Sequence, residues 1–138
     1  MATYKVVQPY VAPLLLQLTV PSNIQAVIKR IAVNGVGSSG KSSRIYVYRP
    51  SVPGTGTGTA IALDRASGAS ACTAITSFAS VPSLPLYQLI ARLLPITIEW
   101  GGDPPIVVQG GSLVVFQDCQ NGYGASAELE WEESPADY

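Results

Sequence analysis

Histidine is absent from all 138 residues of the chain. That removes the usual general base near neutral pH, the serine and cysteine triads built on imidazole, and most zinc and iron sites. Charge is scarce as well: Asp, Glu, Lys and Arg make up 12% of the residues, about half the usual share of roughly 25%. Two readings of that deficit stand side by side. Either partners cover much of the exterior, as in an oligomer or a larger assembly, or Ser, Thr and Gly dilute the charge of a free-standing β protein. Cysteine occurs twice, at Cys72 and Cys119, too few for a disulfide scaffold and without metal-ligand spacing. Free buried thiols are expected, because Met1-Ala2-Thr3-Tyr4-Lys5 lacks the apolar core of a secretory signal; a single bridge between the two stays open. No run approaches 18 uninterrupted apolar residues, so no membrane-spanning helix and no membrane partner is expected.

What the chain does have is apolar residues, 47% of the total, arranged in short alternating runs. Its length suffices for one domain, which buries roughly 68% of its unfolded surface. Strands are expected at Thr3–Gln8, ending at Pro9, and at Leu14–Val20, ending at Pro21-Ser22-Asn23. Val27–Asn34 and Ser43–Arg49 follow, then the weaker Thr59–Asp64 and Cys72–Phe78. Ile96–Trp100, Ile106–Gln109 and Leu113–Cys119 come next, the last two flanking Gly110-Gly111. The chain closes on Ala127, Leu129 and Trp131 alternating with Glu128, Glu130 and Glu132. Eight to ten short strands with frequent turn signals predict an all-β fold, an antiparallel β-sandwich or barrel. Only Leu84–Leu94 carries helical spacing, and Pro85 and Pro95 limit it to a short helix or an extended connection. The repeat Gly54-Thr55-Gly56-Thr57-Gly58-Thr59 reads as a mobile loop unless a neighbour pins it. No domain boundary is visible. Residues 1–25 read as an N-terminal arm with the first strands, open to exchange with a neighbouring copy, and residues 26–138 as the sandwich of a single domain.

The charges are sorted along the chain. Residues 1–65 carry seven of the eight cations, while residues 66–138 carry eight of the nine acids. Early and late strands lying side by side would pair these charges across a sheet. A second reading is two electrically different faces that dock to another copy or another protein. The cations are scattered and not interleaved with aromatics, so no nucleic-acid partner is expected.

One motif looks catalytic. Gly35-Val36-Gly37-Ser38-Ser39-Gly40-Lys41-Ser42 spells a phosphate-binding loop, with Asp64 as an acidic counterpart. Such a loop needs a helix starting at the Ser, aiming its positive end at the phosphates. Here Ser43–Arg49 alternates around Ile45 and Val47 and stops at Pro50, which is strand chemistry. The Gly/Ser/Lys tract is therefore read as a hairpin loop joining Val27–Asn34 to Ser43–Arg49, with a nucleotide-binding enzyme as a remote alternative.

The remaining chemistry is thin. Glu99 and Asp103 beside Trp100 have the composition of a sugar-cleaving carboxylate pair, although Asp103-Pro104 is also ordinary turn chemistry. Glu128, Glu130, Glu132 and Glu133 offer oxygens to Ca²⁺, but carboxylates alternating along a strand are usually just solvated. Tyr46, Tyr48 and Tyr123 are candidates for a carbohydrate platform, whereas Trp100 and Trp131 sit in apolar sets and are expected in the core. No catalytic, cofactor or metal residue is assigned.

The order of these features resembles small β-rich virion proteins of tailed bacteriophages. The shared pattern begins with Lys29–Gly35, then Ile45–Arg49 before the Ser/Thr/Gly loop of 51–59. It continues with an Ala/Thr-rich middle, the turn Gly102-Asp103-Pro104, the strand at Gly110–Leu113, and Glu128–Glu133. The phosphate-loop-like tract and Leu84–Leu94 depart from it. The resemblance implies a non-enzymatic, jelly-roll-like module that binds the outer surface of a capsid as a decoration or cement protein. Its partners would be the major capsid protein and copies of itself, often as a trimer, and it would be made in the host cytoplasm and carried on the virion. A host-surface glycan-binding module of a tail or fibre is the alternative.

Overall fold

The computed structural model describes residues 2–11, 14–35, 43–63, 68–83, 88–93, 97–100, 106–119 and 125–135. These form eleven strands: β1 (Ala2–Val11), β2 (Leu15–Gly35), β3 (Ser43–Tyr48), β4 (Thr55–Thr57), β5 (Ile61–Ala62), β6 (Thr73–Ile75), β7 (Ser77–Ser80), β8 (Gln88–Leu93), β9 (Thr97–Trp100), β10 (Ile106–Cys119) and β11 (Ala125–Pro135). There is no helix among the described residues, and every pairing is antiparallel. The fold is all-β, an antiparallel sandwich.

The sandwich is made by bending two long strands. Val20 pairs with Gly111 and Gln25 with Gln109, so Pro21–Ile24 face Gly110 alone. The surplus residues on β2 and the positive φ angles of Gly110 (68°) and Gly111 (97°) turn both strands together. Glycine tolerates those angles, and proline fits where the ladder is interrupted. What reads in sequence as two separate turns is one corner shared by two continuous strands.

On either side of that corner the chain builds two layers. In the first, β5, β1, β11 and the second half of β2 lie in order, with β9 and the first half of β10 along the far edge of β2. In the second, β6, the first half of β2, the second half of β10, β3 and β8 lie in order. One apolar core joins them, from Tyr4 and Val6 through Leu16, Val33, Val47 and Val115 to Leu129 and Trp131.

Bulges keep polar residues out of that core. Glu130 pairs with Arg30 but Trp131 with Ile28, so Lys29 is the extra residue. The bulge lets Ile28 and Ile31 both face inward while Lys29 and Arg30 both face out. β1 likewise passes through Pro9 to Val11, its register slipping between Gln8 and Val11. It pairs within its own chain, between β11 and β5.

One sequence expectation is corrected here, and one open alternative is decided for Gln88–Leu93. The Gly/Ser/Lys tract does not join a hairpin: β2 never pairs with β3, which lies between β10 and β8 in the other layer. The tract itself, residues 36–42, lies outside the described residues, but Ser43–Tyr48 is strand, without the helix a phosphate loop requires. Of the two readings of Leu84–Leu94, helix or extended run, the extended one holds over Gln88–Leu93, a strand against β3. Pro85 and Pro95 leave too few residues for stable helix, and the free edge of β3 offers the backbone partners instead.

Candidate functional site

The outer face of the second layer carries a covered row. Ile75, Gln17, Val114, Tyr48 and Gln88 are successive cross-strand partners, and the first four are buried although they lie outside the main core. Covering them is a flap made of β4 and β7, which among the described residues pair only with each other. The Gly-Thr repeat is the flap's inner strand and not a free loop. Thr55, Thr57 and Thr59 are exposed, whereas Gly54 is buried. A Cβ on Gly56 would collide with the Ser77 carbonyl oxygen and come within 2.8 Å of Ile75 Cγ2. Glycine at alternate positions lets the flap lie directly on the chain beneath it.

Buried glutamines fasten the flap and the sandwich ends. The Gln17 side chain accepts from the Gly54 N–H at 2.8 Å and donates to the Gly54 carbonyl at 3.1 Å, mimicking one rung of a β-ladder. Gln8 Nε2 donates to the carbonyls of Leu15 (2.9 Å) and Thr76 (2.6 Å). The Gln117 Oε1 accepts from Leu14 N–H at 3.1 Å. Tyr48 donates its hydroxyl proton to the Ser83 carbonyl at 2.8 Å. Each amide satisfies buried backbone that no strand reaches. Sequence reasoning missed them; the one signal was Gln8 and Gln117 standing where the alternation calls for apolar residues.

Beside the flap lies a cavity of about 480 Å³. Leu15 and Phe116, cross-strand partners, join Tyr48 from the second layer, facing Phe78, Val81 and Pro82 from the flap. Gln8, Val11, Thr76 and Ser77 complete the wall. No charged side chain among the described residues lines it.

A second polar cluster lies at the other end of the first layer. Glu133 faces inward, on the same side of β11 as Trp131. Its carboxylate accepts from Ser70 Oγ, from Ala71 N–H (3.0 Å), from Cys72 N–H (3.3 Å) and from Trp131 Nε1–H (2.9 Å). Burial alone would raise its pKa, but these hydrogen bonds outweigh burial and hold it below the usual glutamate value. Tyr4 stacks on Trp131 at 6.1 Å and donates to the Gly68 carbonyl. Burial, with Glu133 adding to it, pushes the free Cys72 thiol up to about 12. A thiol so protonated is a poor nucleophile at neutral pH, and the hydrogen bonds of this cluster tie residues 70–72 to β11 and Gly68 to β1.

The four glutamates of β11 do not gather into one site. Glu128, Glu130 and Glu132 point away from the core while Glu133 points into it, so the four do not form one oxygen cage. Arg30 instead bridges Glu128 (2.9 Å) and Glu130 (3.8 Å), and Lys5 pairs opposite Glu130 across β1. The sorted charges thus meet as neighbours on strands β1, β11 and β2. Among the described residues no group of three or more metal-ligating side chains occurs. Glu99 lies on β9 opposite Ala32, while Asp64, Asp103 and Tyr123 lie outside the described residues. Tyr48 is buried, which removes it from the proposed tyrosine platform; Tyr46 is half-buried on β3. Trp131 is a core residue. Because Cys72 is free, it makes no bridge to Cys119. No described helix is long and apolar enough to cross a membrane. No family model, curated protein or solved structure matches this chain.

Proposed function

We propose that the protein is a non-enzymatic virion component, a jelly-roll module that binds the outer surface of a phage capsid as a decoration or cement protein. Strand order carries the reading. Counting each bent strand as two, one layer runs β1, β11, second half of β2, first half of β10, and the other runs first half of β2, second half of β10, β3, β8, so that each layer brings together strands distant in sequence. That order supports reading the sandwich as a double Greek key of the jelly-roll kind, an architecture used by many viral shell domains and lectins. Fold alone does not assign function; the absence of histidine and the separation of the β11 glutamates add weight on the non-catalytic side. The partners would be the major capsid protein and other copies of this chain, as a trimer. Many weak contacts acting together would hold such a module on a lattice.

The test is co-sedimentation of the purified protein with purified phage shells. Saturable binding, with copy number in fixed proportion to the shell subunit, is the expected result. Protein left in the supernatant at all concentrations overturns it. Lectins share the architecture, so a glycan-binding module is the second reading; retention on a glycan array, lost in Tyr46→Ala, would favour it over the shell.

A further inference from the structure

The cavity beside the flap is built, not incidental. Its floor is the half-buried pair Leu15 and Phe116, its far wall Phe78 and Pro82, and the flap is held over it by Gln17 and Gly54. We propose that it is an anchor site for a single uncharged aromatic side chain, Phe, Tyr or Trp, presented by a partner polypeptide.

Three observations choose this occupant. First, a volume of about 480 Å³ sits at the small end of ligand sites, which run roughly 300–1,000 Å³. It has room for one ring and its linker. Second, the lining excludes other chemistry. An ionised group would lose hydration and find no counter-charge among the described lining residues. A sugar would need many hydrogen-bond partners, but the Gln8 amide nitrogen is engaged with Leu15 and Thr76 and the Tyr48 hydroxyl donates to Ser83. That leaves chiefly the Thr76 and Ser77 hydroxyls in a mostly apolar wall. Two phenylalanine rings and Tyr48 favour a ring packed edge-to-face or offset. Third, apolar surface continues beyond the mouth. Val81 is 70% exposed and Val11 36%, both on the rim. A free small molecule leaves those valines wet, whereas the backbone on either side of an inserted side chain covers them, as around an interface hot spot. The inference rests on the cavity and stands whether or not the partner is a capsid protein.

The experiment uses the intact protein with N-acetyl-tryptophanamide as probe, followed by amide chemical shifts. Saturable shifts confined to Thr76, Ser77, Phe78 and Phe116 are expected at millimolar probe, in keeping with a ligand this small. N-acetyl-aspartamide and methyl glucoside should leave those signals unmoved. Val81→Asp, a change at an exposed rim position, should weaken the probe about tenfold, the size expected of a lost apolar contact at a hot spot. Val52→Asp, equally exposed but outside the lining, should not. Ser77→Trp, which fills the mouth from an exposed position, should abolish the shifts while the circular dichroism stays native. Shifts absent at solubility-limited probe overturn the proposal. So does a response to methyl glucoside equal to that of the indole, or equal weakening by Val81→Asp and Val52→Asp.

Discussion

At the scale of single residues, the most consequential side chain is one that alternation reveals only in retrospect. Glu133 reads as the last of a solvated acidic run, yet two-residue spacing from Trp131 puts it in the interior, where it accepts four hydrogen bonds. Glu133→Ala strands those donors and should cost about 3 kcal/mol in urea unfolding, since each unpaired buried donor costs roughly 1–3 kcal/mol. The pH dependence has a definite sign. A folded-state pKa below the unfolded value gives stability that is complete above the ordinary glutamate range and disappears as pH falls through the depressed value. Glu133→Gln should therefore flatten the acid limb of the stability curve; an unchanged limb would show that Glu133 is not the group responsible. Cys72 behaves oppositely. Its raised pKa, about 12, protects the fold below the ordinary cysteine value and that protection fades as pH climbs towards the folded one. In a Cys119→Ser background, the native protein should resist iodoacetamide at pH 8, reacting only on unfolding. Fast labelling of the folded state would contradict the burial of that thiol.

Elements show where sequence reading succeeds and where it stops. Strand content was legible, because Leu16, Leu18 and Val20, and Ala127, Leu129 and Trp131, keep strict alternation and all are buried. Pairing was not. Pro21-Ser22-Asn23 and Gly110-Gly111 have the chemistry of turns, and the same chemistry serves a corner in two continuous strands once they lie opposite each other. That opposition joins residues about ninety positions apart and leaves no local trace. The Gly-Thr repeat carried its period of two in plain view, but a composition without apolar side chains concealed that glycine was the inward residue. Gly56→Ala should cost about 1–3 kcal/mol through overpacking against Ser77 and Ile75, while exposed Thr57→Ala stays within about 0.5 kcal/mol. Comparable thermal unfolding for the two variants would mean that the flap does not lie on the sandwich as described. The cavity was invisible in sequence for the same reason as the corner: Leu15, Tyr48, Phe78 and Phe116 come from four strands and meet only through register.

For the molecule as a whole, sparse charge and sorted charge have separate explanations. Sorting is structural, since Lys5 and Arg30 flank the glutamates of β11 from both sides. Such half-exposed pairs contribute little, so Arg30→Gln should change stability by less than about 1 kcal/mol and blunt its response to salt. Under the proposed coat-binding role, scarce charge would mark surface that meets other protein. Val81, Val52, Ile61 and Leu63 are large apolar residues left exposed on one chain, which is what a coat-bound subunit would cover. If so, equilibrium sedimentation of the isolated protein should give a trimer, and a monomer at all concentrations would remove self-association from the account.

Imaging decides the matter most directly. Cryo-electron microscopy of phage particles carrying the tagged protein should place density of this size at repeating positions on the outer face of the shell. Particles with bare shells, or with the tag confined to the tail, would contradict a role on the capsid.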